Sequence, residues 1–238
     1  MGTLINAGLI ILGGLLGTLA GRKMNTQFQN TLMLANAVAV LFIGLGGALS
    51  KMLTITGSGG SFALETRGTM MVIISLAAGA VIGELLKIEE RIQQFGEWLK
   101  IRTGNAKDAS FVNAFVTASL TVCVGAMAVI GSIQDGIRGD HSILIAKGIL
   151  DFVIILVMAS SLGKGALFSF IPVTAFQGTI TLLAKAISPY VTDAAMDNLS
   201  YIGSILIFCV GINLIWPKKI KVANMLPSLA VAVIWSAF

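Results

Sequence analysis

The chain has 238 residues, of which 56% are hydrophobic and 11% charged, and its mean hydropathy is +0.92. Soluble domains carry roughly 25% charged residues, so this composition excludes a soluble globular protein and indicates an integral membrane protein. The net charge of +5 does not indicate a nucleic-acid partner, because the basic residues are scattered among short loops instead of forming one patch.

Eight apolar segments approach the length of about 20 residues that a membrane-spanning helix needs. They are residues 2–21, 30–50, 68–86, 111–132, 143–162, 166–186, 199–216 and 222–238. The sixth contains Pro172 and Gly178, which predict a kinked or broken helix. The eighth is short and has Pro227 near its start, so a re-entrant or interfacial segment is the alternative to a span. We predict an all-α polytopic bundle of about eight transmembrane helices, forming one domain over 1–238.

The basic residues are distributed unequally between the two sets of alternate loops. Eleven lie on one side, four on the other, and Lys147 lies within a span. The positive-inside rule places the side with eleven in the cytoplasm, so the N-terminus is predicted to face outward. The longest loop on the basic side carries apolar residues at helical spacing over 87–102, which predicts an amphipathic helix on the inner membrane surface. A partner-binding helix is the alternative.

Glycines recur at a spacing that favours close packing of helices. Gly13, Gly17 and Gly21 lie four residues apart, Gly79 and Gly83 repeat part of this pattern, and Gly125 is a further predicted packing position. Such stripes pack helices either within one chain or between the subunits of a homo-oligomer, and the sequence leaves both open. A conduction role is a further alternative.

Two weak self-similarities suggest an internal repeat. Gly2, Gly13 and Gly17 return 66 residues later as Gly68, Gly79 and Gly83, and LTVCVG, which ends at Gly125, returns as LIFCVG at 206–211. The repeats would be 68–162 and 166–238. Two three-helix units in direct succession have opposite membrane orientation, so this arrangement would be an inverted repeat of the kind found in secondary transporters.

The candidate binding site centres on two opposite charges in the fifth apolar segment. Lys147 and Asp151 are four residues apart and share one face of a helix. An isolated charge at mid-membrane costs about 2.5–3.5 kcal/mol, so the two residues either neutralise each other structurally or bind an ion or a solute. We predict Gln134 and Asp135, in a polar turn, and Gln177, at a break in the sixth segment, as their neighbours.

The motifs of enzymes are absent from the sequence. His141 is the only histidine, and Cys123 and Cys209 both lie in apolar runs. The Gly57–Gly60 run lacks the Lys-Ser/Thr of a phosphate-binding loop, so we predict a flexible turn there. We therefore predict no enzymatic activity, no metal and no cofactor.

Several longer stretches resemble one known family. They include GTLINAGLIILGGLLG at 2–17, CVGAMAVIGSIQDGI at 123–137, AKGILD at 146–151 and SLGKGALFSFIPVTAFQGTITLLA at 161–184. These segments resemble the YdfK/YqgA family of bacterial inner-membrane proteins, in which an aromatic residue usually occupies the position of Phe176. The resemblance covers essentially the whole chain. It implies a location in the bacterial cytoplasmic membrane and names no substrate.

Two functions fit this sequence. The first is transport of a small solute or ion past Lys147 and Asp151, with membrane lipid and the transported species as partners and with a homo-oligomer left open. The alternative is a non-transporting sensor, scaffold or assembly factor that acts through the 87–102 helix.

Overall fold

The chain folds into an all-α membrane bundle, as predicted. The computed structural model describes residues 1–56, 63–123, 126–187, 192–217 and 219–236. Two predictions fall outside these ranges, namely the packing role of Gly125 and the turn at Gly57–Gly60. The helices, in chain order, are α1 (Gly2–Gly21), α2 (Thr26–Met52), α3 (Thr69–Leu86), α4 (Ile88–Arg102), α5 (Phe111–Cys123), α6 (Ala126–Arg138), α7 (Ser142–Ser161), α8 (Phe170–Ile187), α9 (Asp193–Ile215) and α10 (Pro227–Trp235).

Six helical segments within the described ranges are long and apolar enough to cross a membrane. A seventh is obtained if α5 and α6, whose axes differ by 64°, form one bent span. The predicted eighth span is instead the short apolar segment Val222–Trp235, made of a 3-10 helix (Val222–Met225) and α10. Over the described residues, the predicted count of about eight therefore becomes six or seven helices of full length plus this short one.

α1 packs against α7 through its glycine face. A Cβ atom at Gly13, Gly17 or Gly21 would overlap the backbone oxygens of Phe152, Leu156 and Ser160, in that order. The matching order shows that α1 and α7 run parallel. Because backbone meets backbone here, this stripe is used within one chain.

The second glycine pair has a different partner. Gly79 and Gly83 of α3 face the backbone of Ser228 and Asn224, in the short segment that contains α10. Gly44 and Gly47 make a third such contact, since they bring α2 against α9 near Ser204. Close backbone approach at glycine therefore joins several pairs of helical segments among the described residues, including these three.

α8 is continuous where a break was predicted. It runs from Phe170 to Ile187 after the 3-10 helix Lys164–Ser169, so Gln177 and Gly178 lie in its middle. Pro172 falls in the first turn, where backbone N–H groups have no partner within the helix and proline is tolerated. The predicted break at Gln177 is therefore wrong, and the irregular part of this segment is its start.

A small β-hairpin was not predicted. β1 (Leu53–Thr56) pairs antiparallel with β2 (Ala63–Thr66), with Leu53 opposite Thr66. Asp197 of α9 lies at its base and binds Lys51 Nζ at 2.6 Å and Arg67 Nη2 at 2.9 Å. This ion-pair network holds the ends of α2 and α9 to the hairpin.

Candidate functional site

Lys147 and Asp151 form a buried ion pair on α7. The Lys147 Nζ atom lies 2.5 Å from Asp151 Oδ2, and the two side chains are 7% and 5% exposed. The helical spacing of four residues accounts for the contact. The pair is shielded from bulk solvent, so its charges depend on neighbouring protein atoms for stabilisation.

A helix end supplies part of that stabilisation. The Lys147 ammonium group donates a second hydrogen bond, 2.7 Å long, to the backbone oxygen of Val122. Val122 lies in the last turn of α5, where carbonyl groups lack intrahelical partners and the helix dipole is negative. The cation thus lies at the carboxyl end of α5, at the point where the direction of the chain changes by 64° before α6.

Two buried amides lie beside the ion pair. Asn6 Nδ2 of α1 donates to Gln177 Oε1 of α8 over 3.3 Å, and both residues are fully buried. Asn6 also lies close to the Asp151 carboxylate, and it contacts α7 at Gly148. Among the residues that the structure describes, Asn6 Oδ1 and Gln177 Nε2 have no hydrogen-bond partner. The amide pair therefore presents one unused acceptor and one unused donor next to a charged pair.

Polar contacts continue from the amide pair toward the amino-terminal end of α1. One helical turn from Asn6, Thr3 Oγ1 lies 3.4 Å from Thr181 Oγ1 of α8. Beyond it, the Gly2 N–H group donates to Asp135 Oδ2 over 3.1 Å, and Asp135 Oδ1 lies 2.6 Å from His141 Nδ1. These groups form a polar column that runs along α1 from Asp135 to Asp151.

Asp135 does not lie in a turn as predicted. α6 continues through Gln134 and Asp135 to Arg138, and the left-handed Gly139 (φ +67°) follows its end. The side chain of Asp135 turns toward the start of α1, where it binds free N–H groups. The predicted adjacency to Lys147 is thus indirect, through the polar column. Gln134 is half-buried and makes no side-chain hydrogen bond among the described residues.

Two cavities are lined in part by residues of α5. The acidic cavity, about 580 Å³, is bordered by Glu89, Glu90 and Glu97 of α4 and reaches Leu120. The apolar cavity, about 300 Å³, also reaches Leu120 and extends to Cys123, next to the carbonyl group that binds Lys147. Neither cavity is lined by Lys147 or Asp151. Both cavities therefore reach the helix whose carboxyl end binds Lys147, and neither reaches the ion pair itself.

A hydrogen-bonded network fixes the start of α4. Asn224 Oδ1 accepts from the Glu89 backbone N–H group at 2.7 Å, and Asn224 Nδ2 donates to Glu84 Oε2 at 2.6 Å. Lys221 Nζ binds the other Glu84 oxygen at 2.7 Å, and this carboxylate raises the pKa of Lys221 above its usual range. Asn224 thus joins α3, α4 and the segment before α10.

The described residues contain no group of three His, Cys, Asp or Glu side chains that could hold a metal ion, and Cys123 and Cys209 are free thiols. The sequence-based site also omitted residues that the structure brings to it, chiefly Asn6, Val122 and His141. A lone asparagine in an otherwise apolar span is the signal that could have identified Asn6, because a buried amide is expensive in lipid for the same reason as a buried charge.

Comparison with known proteins identifies the family. The family model described as "Protein of unknown function (DUF554)" matches residues 1–237. The Bacillus subtilis (strain 168) uncharacterized membrane protein YdfK is 25% identical over 230 residues, which cover 97% of this chain and 93% of YdfK. The Escherichia coli (strain K12) uncharacterized protein YqgA is 28% identical over 241 residues, which cover 100% of this chain and 96% of YqgA. No solved structure matches the chain. The chain is a membrane protein that belongs to the DUF554 family, in agreement with the resemblance seen in its sequence.

Proposed function

We propose that this protein transports a small solute or ion across the bacterial cytoplasmic membrane, with Asn6, Lys147, Asp151 and Gln177 forming the binding site. The observation that carries the proposal is the buried amide pair beside the Lys147–Asp151 ion pair. Its Asn6 Oδ1 and Gln177 Nε2 atoms find no hydrogen-bond partner in the described ranges of the chain. A bound species that both donates and accepts hydrogen bonds would satisfy both atoms.

Energetic cost supports a ligand over a purely structural role. A buried donor or acceptor without a partner costs about 1–3 kcal/mol, and this site has two. Replacing a buried ion pair by apolar side chains is often neutral or stabilising. A bundle with no ligand to bind would therefore be at least as stable with apolar residues at all four positions.

A line of buried polar groups on one side and two cavities that reach α5 support a route for the transported species. The polar column leads from Asp135 to Asp151 on the side predicted to be outside. On the predicted cytoplasmic side, the acidic and apolar cavities end at Leu120 and Cys123. Movement of the Lys147 ammonium group away from Val122 would connect the two halves, and α5 and α6 already change direction there.

The orientation is part of the proposal. The cytoplasmic side carries α4 and the eleven basic loop residues, and the N-terminus faces outward. We also propose that 68–162 and 166–238 are inverted repeats. An experimental structure in which these units do not superpose about a two-fold axis in the membrane plane would remove that part alone.

Flux through liposomes tests the function. The purified chain is reconstituted with trapped pyranine to follow protons, and in parallel with radiolabelled sodium, rubidium, phosphate or an amino-acid mixture. We expect the parent to move at least one species, Asp151→Asn to fall to the level of empty liposomes, and the exposed control Asp140→Asn to behave as the parent. A chain with residues 87–102 scrambled should still transport.

The same experiment separates the alternative function. A sensor or assembly factor acting through α4 would show no flux in any arm, and its activity in cells would be lost when 87–102 is scrambled and kept in Asp151→Asn. The observation that favours this alternative is the fixation of α4 by Asn224, which couples it to α3.

A further inference from the structure

α4 has two chemically different flanks. Its acidic side chains, Glu89, Glu90 and Glu97, border the acidic cavity. The opposite flank carries Arg91 and Phe95, which line the apolar cavity, and continues through Trp98. This asymmetry is not required for lying on a membrane, since a uniformly charged polar face would serve equally well. Binding to the membrane surface therefore does not explain the basic, aromatic flank.

The apolar cavity opens beside this basic flank. Apart from Arg91 and Ser119, its lining is apolar and comes from α4, α5, Pro172 and Leu226. Its volume of about 300 Å³ is at the lower limit of roughly 300–1,000 Å³ for small-molecule sites. A cavity of this size accommodates a segment of one hydrocarbon chain, and not the body of a large ligand.

Aromatic rings lie at and beside the cavity, which Phe95 and Phe115 help to line. Phe95 stacks on Trp98 with ring centres 5.6 Å apart, and its ring also meets Phe115 at 5.9 Å. Arg102 lies over the Trp98 ring, 6.0 Å from its centre. Tryptophan is enriched where the hydrocarbon core meets the headgroups, and Trp98 is 53% exposed.

The charge at the rim is unbalanced. Arg91 is exposed and makes no ion pair within the part of the chain that the structure describes. The nearby acids are engaged elsewhere: Glu90 pairs with Lys87 and Glu97 with Lys100, each at 3.7 Å. A guanidinium group beside an apolar cavity complements a ligand with an anionic head and a hydrocarbon tail.

We propose that this cavity binds one acyl chain of an anionic phospholipid whose phosphate group is held by Arg91, with Phe95 and Trp98 beside the headgroup. The proposal does not depend on transport. It predicts selection of lipids by charge and by chain, and it places the lipid against α5, one residue from the carbonyl group that binds Lys147.

Native mass spectrometry of the full chain in a neutral detergent tests the site. Phosphatidylglycerol and phosphatidylcholine with identical chains are titrated in parallel. We expect one phosphatidylglycerol to bind tightly per chain and the preference over phosphatidylcholine to fall about fivefold in Arg91→Gln, the effect of one basic side chain near an anionic surface. The matched control Lys107→Gln, which removes an exposed basic residue outside the cavity, should keep the preference.

Two further experiments test whether the cavity holds the acyl chain of the lipid and whether free phosphate can occupy the site. Ser119→Phe should fill the cavity and reduce lipid binding. If this variant does not fold, the parent is titrated with single-chain phosphatidylglycerols instead, and its affinity should rise with acyl-chain length and then level off. Inorganic phosphate should not displace the lipid. Equal binding of the two lipids, equal effects of Arg91→Gln and Lys107→Gln, affinity independent of chain length, or displacement by phosphate would each overturn the proposal.

Discussion

Removing the cation from the buried ion pair should destabilise the protein strongly. In Lys147→Met, the Asp151 carboxylate keeps its burial but loses its partner at 2.5 Å, and the Val122 carbonyl group loses its donor at 2.7 Å. Breaking one half of a buried ion pair costs about 3–5 kcal/mol because the remaining charge is uncompensated. The side chain of Asp151 is only 5% exposed, so water can offset little of this cost.

A double variant separates charge from packing. Lys147→Met combined with Asp151→Leu removes both charges and leaves only the Val122 carbonyl group without a donor, a loss of about 1 kcal/mol. Its stability should therefore return to within about 1–2 kcal/mol of the parent. Transport should not return, because the binding site has lost both charged groups.

Unfolding by sodium dodecyl sulfate in mixed micelles, followed by circular dichroism, measures these differences. If Lys147→Met were as stable as the parent, the Asp151 carboxylate would have to reach water, and the ion pair would contribute nothing to the free energy of unfolding. A double variant as unstable as the single variant would mean that side-chain volume, and not charge, sets the cost.

Four further predictions concern glycine packing, the Asn224 hydrogen bonds, the Asp197 ion pairs and the membrane orientation. Gly17→Leu should abolish folding or cost several kcal/mol in the same unfolding assay, because its Cβ atom would overlap the α7 backbone. Gly8→Leu on the same helix should be tolerated, because no atom of the described residues lies within 4 Å of a Cβ atom added there. Asn224→Ala should cost about 1–2 kcal/mol, from two lost hydrogen bonds to α3 and α4. Asp197→Asn should cost at most about 1 kcal/mol per ion pair, and less at high salt, because Asp197 is 37% exposed. Lys107→Cys should react with a membrane-impermeant maleimide only after cells are opened, and labelling of intact cells would reverse the proposed orientation.

The sequence was sufficient for the positions of most spans, because the length of an apolar run sets where a helix crosses the membrane. It also placed Lys147 against Asp151, since a spacing of four residues acts within one helix. The glycine stripe of α1 could be recognised as a packing surface. Its partner, α7, could not be recognised, because spacing within one helix carries no information about which helix approaches it.

The wrong predictions concern single residues that were interpreted without knowing where their helix begins or ends. Pro172 breaks a helix that begins at 166 and is tolerated in one that begins at Phe170. Asp135 looked like part of a turn, because its role as a partner of the Gly2 N–H group depends on a helix more than 100 residues away in sequence. Asn6 belongs to the site because α7 and α8 both pack beside α1, and this packing could not be predicted from the spacing of residues within α1.

An experimental density map of the protein in lipid nanodiscs, at a resolution that shows ordered water, tests the central claim most directly. The account predicts water or non-protein density within hydrogen-bonding distance of Asn6 Oδ1 and Gln177 Nε2, adjacent to Asp151. A map with no such density, in which Asn6 and Gln177 satisfy each other and the Lys147–Asp151 pair contacts only protein, would contradict it.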